Sequence, residues 1–210
     1  MLQVGIAIVL LGSPGAVGQT SSGESAEATE AEYEVFSAYI SQSFVGAIGN
    51  DRVGRPVAQV VVVNRTESDK EDRQDLAEED SLPPGGIEKY LRKQVPSLRV
   101  ATISNFRRAN EKQAQLARRF DLPLPYQLVS DEKIGSIIKD AGSWPEYYKW
   151  YPGAQGHMRL SRVGFSSDGK QSLFYTSNFC GGLCATLSYV VMEKHGSVWK
   201  VLKEVVILVS

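Results

Sequence analysis

The sequence predicts an α+β fold, with N-terminal and central helices packed on a C-terminal antiparallel β-meander of about four strands. Two observations carry this. Apolar residues recur at helical spacing through the first two thirds of the chain. From about residue 157 the period switches to two, and short turns punctuate the pattern.

Each element has its own signal. Tyr33, Phe36, Ile40 and Phe44 recur every three or four residues behind Glu30, Glu32 and Glu34, so a helix is expected over about 26–46, ending at Gly46, Gly49 and Asn50. Residues 57–63, VAQVVVV, are a continuous β-branched run and predict a strand buried on both faces. Residues 66–86 are highly charged and close on Pro83-Pro84-Gly85-Gly86, which reads as a surface loop. Helices are expected at 87–95, stopped by Pro96, and at about 104–119, with Phe106, Ala109, Leu116 and Phe120 inward. Pro123 and Pro125 frame an extended piece, LPLPYQLV. Ser130 then caps a helix carrying Ile134, Ile137 and Ile138 and ending near Gly142. After the aromatic segment WPEYYKWY, residues 144–151, strands are expected at 157–165, 171–180, 184–194 and 198–209. Their turns fall at Ser167-Asp168-Gly169, Gly181-Gly182-Leu183 and His195-Gly196-Ser197.

Composition sets the class. The chain has 210 residues, 42% apolar and 22% charged, with a net charge of −1, and suits one soluble domain. No clustered basic patch argues for nucleic acid, and Arg107-Arg108 and Arg118-Arg119 read as solvated helix faces. Residues 2–11 are apolar but shorter than the ~20 residues that span a bilayer. Ser13-Pro14-Gly15 follows, and Ala16-Val17-Gly18 offers small residues for cleavage. We read residues 1–18 as a signal peptide, although no Lys or Arg precedes the apolar run. The reading continues with a flexible arm at 19–29 and one α+β domain at 30–210 containing the charged 66–86 loop. The expected location is therefore exported, periplasmic or extracellular, with no membrane span in the mature protein.

Both cysteines lie in NFCGGLCAT, residues 178–186. An exported chain with two cysteines suits one disulfide. If Cys180 faces Cys184 across a three-residue loop, paired strand positions sum to 364. Phe179, Ser177, Tyr175 and Leu173 then face Ala185, Leu187, Tyr189 and Val191 on a mostly apolar side that belongs against helices. The opposite side carries the cysteines, Asn178 with Thr186, and Thr176 with Ser188, either as the lining of a small pocket or as a wet outer face. Directly opposed cysteines come within bridging distance. A redox-active pair ordinarily sits two residues apart at a helix N-terminus, unlike this one. A zinc site would need His157 or His195 as further ligands, and neither has the spacing.

Other catalytic patterns are weak. Ser130-x-x-Lys133 and Ser167-x-x-Lys170 both fit the S-x-x-K pattern, but no K-T-G or S-D-N accompanies them, and a helix cap and a turn explain them. No phosphate-binding glycine loop, nucleophile elbow or zinc-protease motif occurs. Trp144, Tyr147, Tyr148, Trp150 and Tyr151 have two readings: packing of a helix onto the meander, or an exposed stacking platform.

Tyr151-Pro152, Ser161-Arg162-Val163-Gly164-Phe165, the Cys180–Cys184 stretch and Gly196-Ser197-Val198-Trp199-Lys200-Val201 together resemble a group of bacterial exported proteins without an established activity. The resemblance covers roughly the last third of the chain. It implies export and a shared fold, and it supplies no catalytic residues. The element order also loosely resembles cystatin- and NTF2-like folds. The expected function is a non-enzymatic domain binding a small ligand or an envelope component, without cofactor, through Asn178, Thr186, Thr176, Ser188, Trp144, Tyr147 and Trp150 beside the Cys180–Cys184 bridge. The alternatives are a thiol–disulfide redox protein using the same cysteines and an envelope hydrolase.

Overall fold

Thr29 starts the first helix, α1 (Glu30–Tyr39), through a capping box: its hydroxyl accepts from the Glu32 amide while the Glu32 carboxylate accepts from the Thr29 amide. This is seen in a computed structural model that describes residues 26–46, 57–68, 86–140 and 143–210. The expected helix therefore begins later than residue 26. Residues 26–28 instead pair with Gln115 through backbone bonds. The helix continues as a π-helix over Ile40–Gly46. The signal peptide, most of the arm, Gly49, Asn50 and Gly142 lie outside the described residues.

The remaining elements, in order, are β1 (Val60–Val63), α2 (Gly86–Gln94), α3 (Val100–Ala109), β2 (Tyr126–Val129), α4 (Asp131–Gly135) with a π-helical extension Ser136–Asp140, α5 (Trp144–Trp150), β3 (His157–Leu160), β4 (Gly164–Phe165), β5 (Gln171–Gly181), β6 (Cys184–His195) and β7 (Val198–Val209). Helices and a C-terminal antiparallel meander make this an α+β fold, as the sequence predicts. The sheet is larger than expected. It has seven strands in the order β2-β1-β3-β5-β6-β7, with β4 also paired to β5. β1 runs parallel to both β2 and β3, and all four of its valines are buried, which is what a β-branched run flanked by parallel neighbours requires. The extended piece after Pro125 is β2, a true strand.

Three other expectations are corrected. The helix expected at 104–119 is α3, which starts at Val100 and stops at Ala109. Asn110 stops it: its side chain donates to the Phe106 and Arg162 carbonyls and accepts from the Arg162 amide. Beyond it, residues 114–116 run extended between residues 26–28 and 64–66. The strand expected at 157–165 is two, β3 and β4, because Arg162 and Val163 turn aside to bind the buried Glu32 carboxylate. The charged loop does not begin at 66: Thr66, Glu67 and Ser68 are buried, with Thr66 and Glu67 bonded to the Ala114 and Leu160 carbonyls, and residues 69–85 lie outside the described residues.

Both sheet faces are covered. On one, α1 and residues 114–120 pack Tyr33, Phe36, Ile40 and Phe120 against Val60, Met158, Phe174 and Val190. On the other, α2 and α3 cover Leu173, Tyr175, Leu187 and Tyr189. Beside them, α4 and α5 cover Val61, Val63 and Val129. Gly164 makes the α3 approach possible, since a Cβ there would collide with the Phe106 backbone.

Candidate functional site

The sum-to-364 register holds from Gln171↔Glu193 to Phe179↔Ala185. It fails at the tip, where Gly181 rather than Cys180 faces Cys184. Cys180 is a bulge residue, and the loop is the two-residue Gly182-Leu183. Neither Gly181 nor Gly182 takes a positive φ. The bulge does not prevent the bridge. Cys180 and Cys184 are disulfide-bonded with Cα atoms 5.0 Å apart, because a bulged strand still brings adjacent Cβ atoms within reach. Both sulfurs are therefore engaged and neither can ligate a metal as a thiolate. Among the described residues no three His, Cys, Asp or Glu side chains gather as a metal site.

The bridge fixes a tip with two contrasting parts. Leu183 projects into solvent at 89% exposure. Behind it, Asn178 and Thr186 are half-buried partners across the hairpin. Asn178 donates to the Gln155 carbonyl at 3.0 Å, while its Oδ1 is buried without a partner. One step further in, Thr176 and Ser188 are at 4% and 1% exposure, so they are interior and not a wet outer face. Thr176 donates to the Arg159 carbonyl, and the Ser188 hydroxyl has no partner.

The aromatic segment forms α5, which begins after Ser143 with Pro145 in its first turn. It docks at the base of the tip, where the Tyr148 hydroxyl donates to the Cys180 carbonyl at 2.9 Å. Tyr147 is fully buried, and Trp144 is half-buried. Trp150 is 55% exposed, with the Lys133 ammonium 4.2 Å above its ring. Both sequence readings of the segment thus apply to different residues: Tyr147 and Tyr151 pack, and Trp150 faces outward.

Between α5 and the hairpin sits His157, which sequence reasoning treated only as a weak metal-ligand candidate. Its ring stacks between Trp144, with an interplanar angle of 6°, and Phe179, at 25°. It is 4% exposed, and its Nδ1 has no partner. Burial, helped by the Arg159 charge, pulls its pKa down to about 3. Burial likewise raises the Tyr147 phenol, with Tyr151 and Tyr148 adding to the effect. The signal was present in the sequence: His157 opens a strand and alternates with Met158 and Leu160. Gly156 sits just before it at φ 88°, against the Phe179 carbonyl, where any Cβ would collide. His195, by contrast, ends β6 exposed beside a turn.

The serine patterns gain no site. Ser130 accepts from the Lys133 amide as the α4 cap, and Ser167 lies in the β4–β5 turn. No helix among the described residues is long and apolar enough to cross a membrane. The arrangement is a disulfide-closed, apolar-tipped hairpin braced by an aromatic helix. No protein-family profile, curated protein or solved structure matches the chain.

Proposed function

We propose that this chain is a non-enzymatic, exported binding domain that contacts its partner through the bridged hairpin tip and the outer side of α5. The observation that carries the reading is Leu183: a large aliphatic side chain at 89% exposure, on a two-residue turn closed by a disulfide. A leucine held at the apex of a bridged turn is shaped to enter a partner's apolar pocket. Rigidity lowers the ordering entropy that docking would otherwise cost. The contact set is Leu183 at the apex, flanked by Asn178 and Thr186 on the α1 face of the sheet and by Trp150 on the α5 face. Thr176, Ser188 and Tyr147 support it from the interior. The partner is an envelope component or small ligand met outside the cytoplasm, and the bridge is consistent with an oxidising compartment.

Photo-crosslinking from position 183 in the producing cells tests this. The expected result is a discrete adduct in the extracytoplasmic fraction, absent from the exposed position 112 in the turn after α3. Adducts of equal yield from both positions overturn the site. A bridge reduction potential near that of thiol oxidoreductases, rather than below about −300 mV, would favour the redox reading instead.

A further inference from the structure

β7 closes the sheet, and no described strand pairs with its outer side. It is 12 residues long, and four of the exposed large apolar residues lie on it: Val198, Leu202, Val206 and Val209, at 42–63% exposure. The start of this edge is capped: Gln42, on the π-helix Ile40–Gly46, donates to the Trp199 carbonyl and accepts from the Val201 amide. Beyond Val201, a long edge strand is a template for strand addition. The question is what would add to it.

The register gives each face of the edge a different chemistry. Lys203 pairs with Val191 and Lys200 with Glu193, so both lysines lie on the side covered by α2 and α3. Val206 pairs with Ser188 and Val209 with Thr186, so both valines lie on the α1 side. An added strand continues both faces. Its residues next to the lysines meet positive charge, and its residues next to Val206 and Val209 meet exposed apolar surface. α2, which packs in the same core cluster as Ile207 and Leu208, adds exposed Lys89 and Arg92 on the lysine side.

A second copy of the chain fits badly. Antiparallel pairing of β7 with its own copy places the Lys200 and Lys203 side chains of both strands on one face, where like charges across a sheet destabilise. The acidic residue of the strand, Glu204, is on the other face and accepts from the Tyr39 hydroxyl. Bulges at Leu202 and Ile207 further discourage indiscriminate pairing. Self-pairing in the register that opposes the lysines is therefore disfavoured, and an acidic strand is favoured in their place.

We propose that β7 is a docking edge for an extended segment of another protein in which aliphatic and acidic residues alternate. The docking does not involve Leu183 at the hairpin apex. The test titrates the isotope-labelled full chain with two short synthetic peptides, one alternating aspartate and valine, the other lysine and valine. The expected result is amide shift changes along β7 with the aspartate peptide only, weakening as salt is raised. A Lys200→Glu/Lys203→Glu variant, checked for fold by circular dichroism, should lose about ten-fold in affinity, roughly 1.4 kcal/mol, and gain binding of the lysine peptide. No shifts on β7, or shifts indifferent to the charge reversal, overturn the proposal. So does concentration-dependent dimerisation with β7 amides protected, which would make a second copy the occupant. Leu183→Asp should leave this titration unchanged, so failure at the tip and failure at the edge are read separately.

Discussion

At the scale of single residues, two buried titratable groups dominate, and they fail differently in acid. Free histidine takes up a proton near pH 6.5, whereas His157 in its aromatic stack does so only at about 3. Between these values the unfolded chain binds a proton that the folded chain refuses. Stability therefore falls as pH drops from 6.5 toward 3, by up to about 1.4 kcal/mol per pH unit. His157→Phe should flatten the dependence of the urea midpoint between pH 6.5 and 4 while leaving it little changed at pH 7.5. Glu32 opposes its own burial with the bidentate Arg162 contact and the Thr29 and Val163 amides, and its pKa ends below the ordinary value. Its contribution is complete above the ordinary glutamate pKa and is lost as pH falls below it. Glu32→Ala strands Arg162, which is only 15% exposed, and should lower stability by about 3–5 kcal/mol in denaturant melts. Glu32 does not announce itself in the sequence. Glu32 reads as an ordinary first-turn acid, and only the fold brings Arg162 to it.

At the scale of elements, the hairpin and α5 act together. The bridge closes a very short loop, so removing it by Cys180→Ser/Cys184→Ser should cost only about 2 kcal/mol. Its larger effect should be local: hydrogen exchange should speed up at residues 178–186 and not in β5 near Gln171. A Gly156→Ala variant tests the brace. Its collision with the Phe179 carbonyl should loosen the His157 stack and red-shift the tryptophan emission as Trp144 gains solvent. The register of this hairpin was legible because side-chain alternation and two short turns leave few choices over nine paired positions. The bulge at Cys180 was not, because one extra residue near a glycine pair leaves the alternation intact on either side. Helix α3 was misplaced for a related reason. The apolar spacing continues through Leu116 and Phe120, and both are buried, but outside any helix. The stop comes from Asn110 gripping a loop 52 residues away, which no local pattern encodes.

At the scale of the whole molecule, β5 and β6 carry side chains of both core faces, Phe174 and Val190 on one and Tyr175 and Tyr189 on the other. The two layers should not melt separately. Calorimetric and van't Hoff enthalpies should agree, and Phe174→Ala, at about 3–5 kcal/mol, should shift near-UV signals from both faces together. The sequence showed helices preceding a meander, but not the parallel pairing that joins them, since parallel contacts between distant segments leave no local mark. That pairing sets an order of assembly in time. β1 lies between β2 and β3, and Val62 waits for Met158, 96 residues later in the chain (158 − 62). The β5–β6–β7 meander, by contrast, closes over turns of two residues. Loop-closure entropy favours the meander as the early nucleus, with β1 inserting last into a slot already framed by its neighbours. Substitutions at Val190 should then slow folding, while the same loss at Val62 should mainly speed unfolding. A chain newly released by a ribosome or a translocase would spend its first moments with the β1 slot vacant and the edges of β2 and β3 bare, the interval in which such a protein is most open to a chaperone's grip.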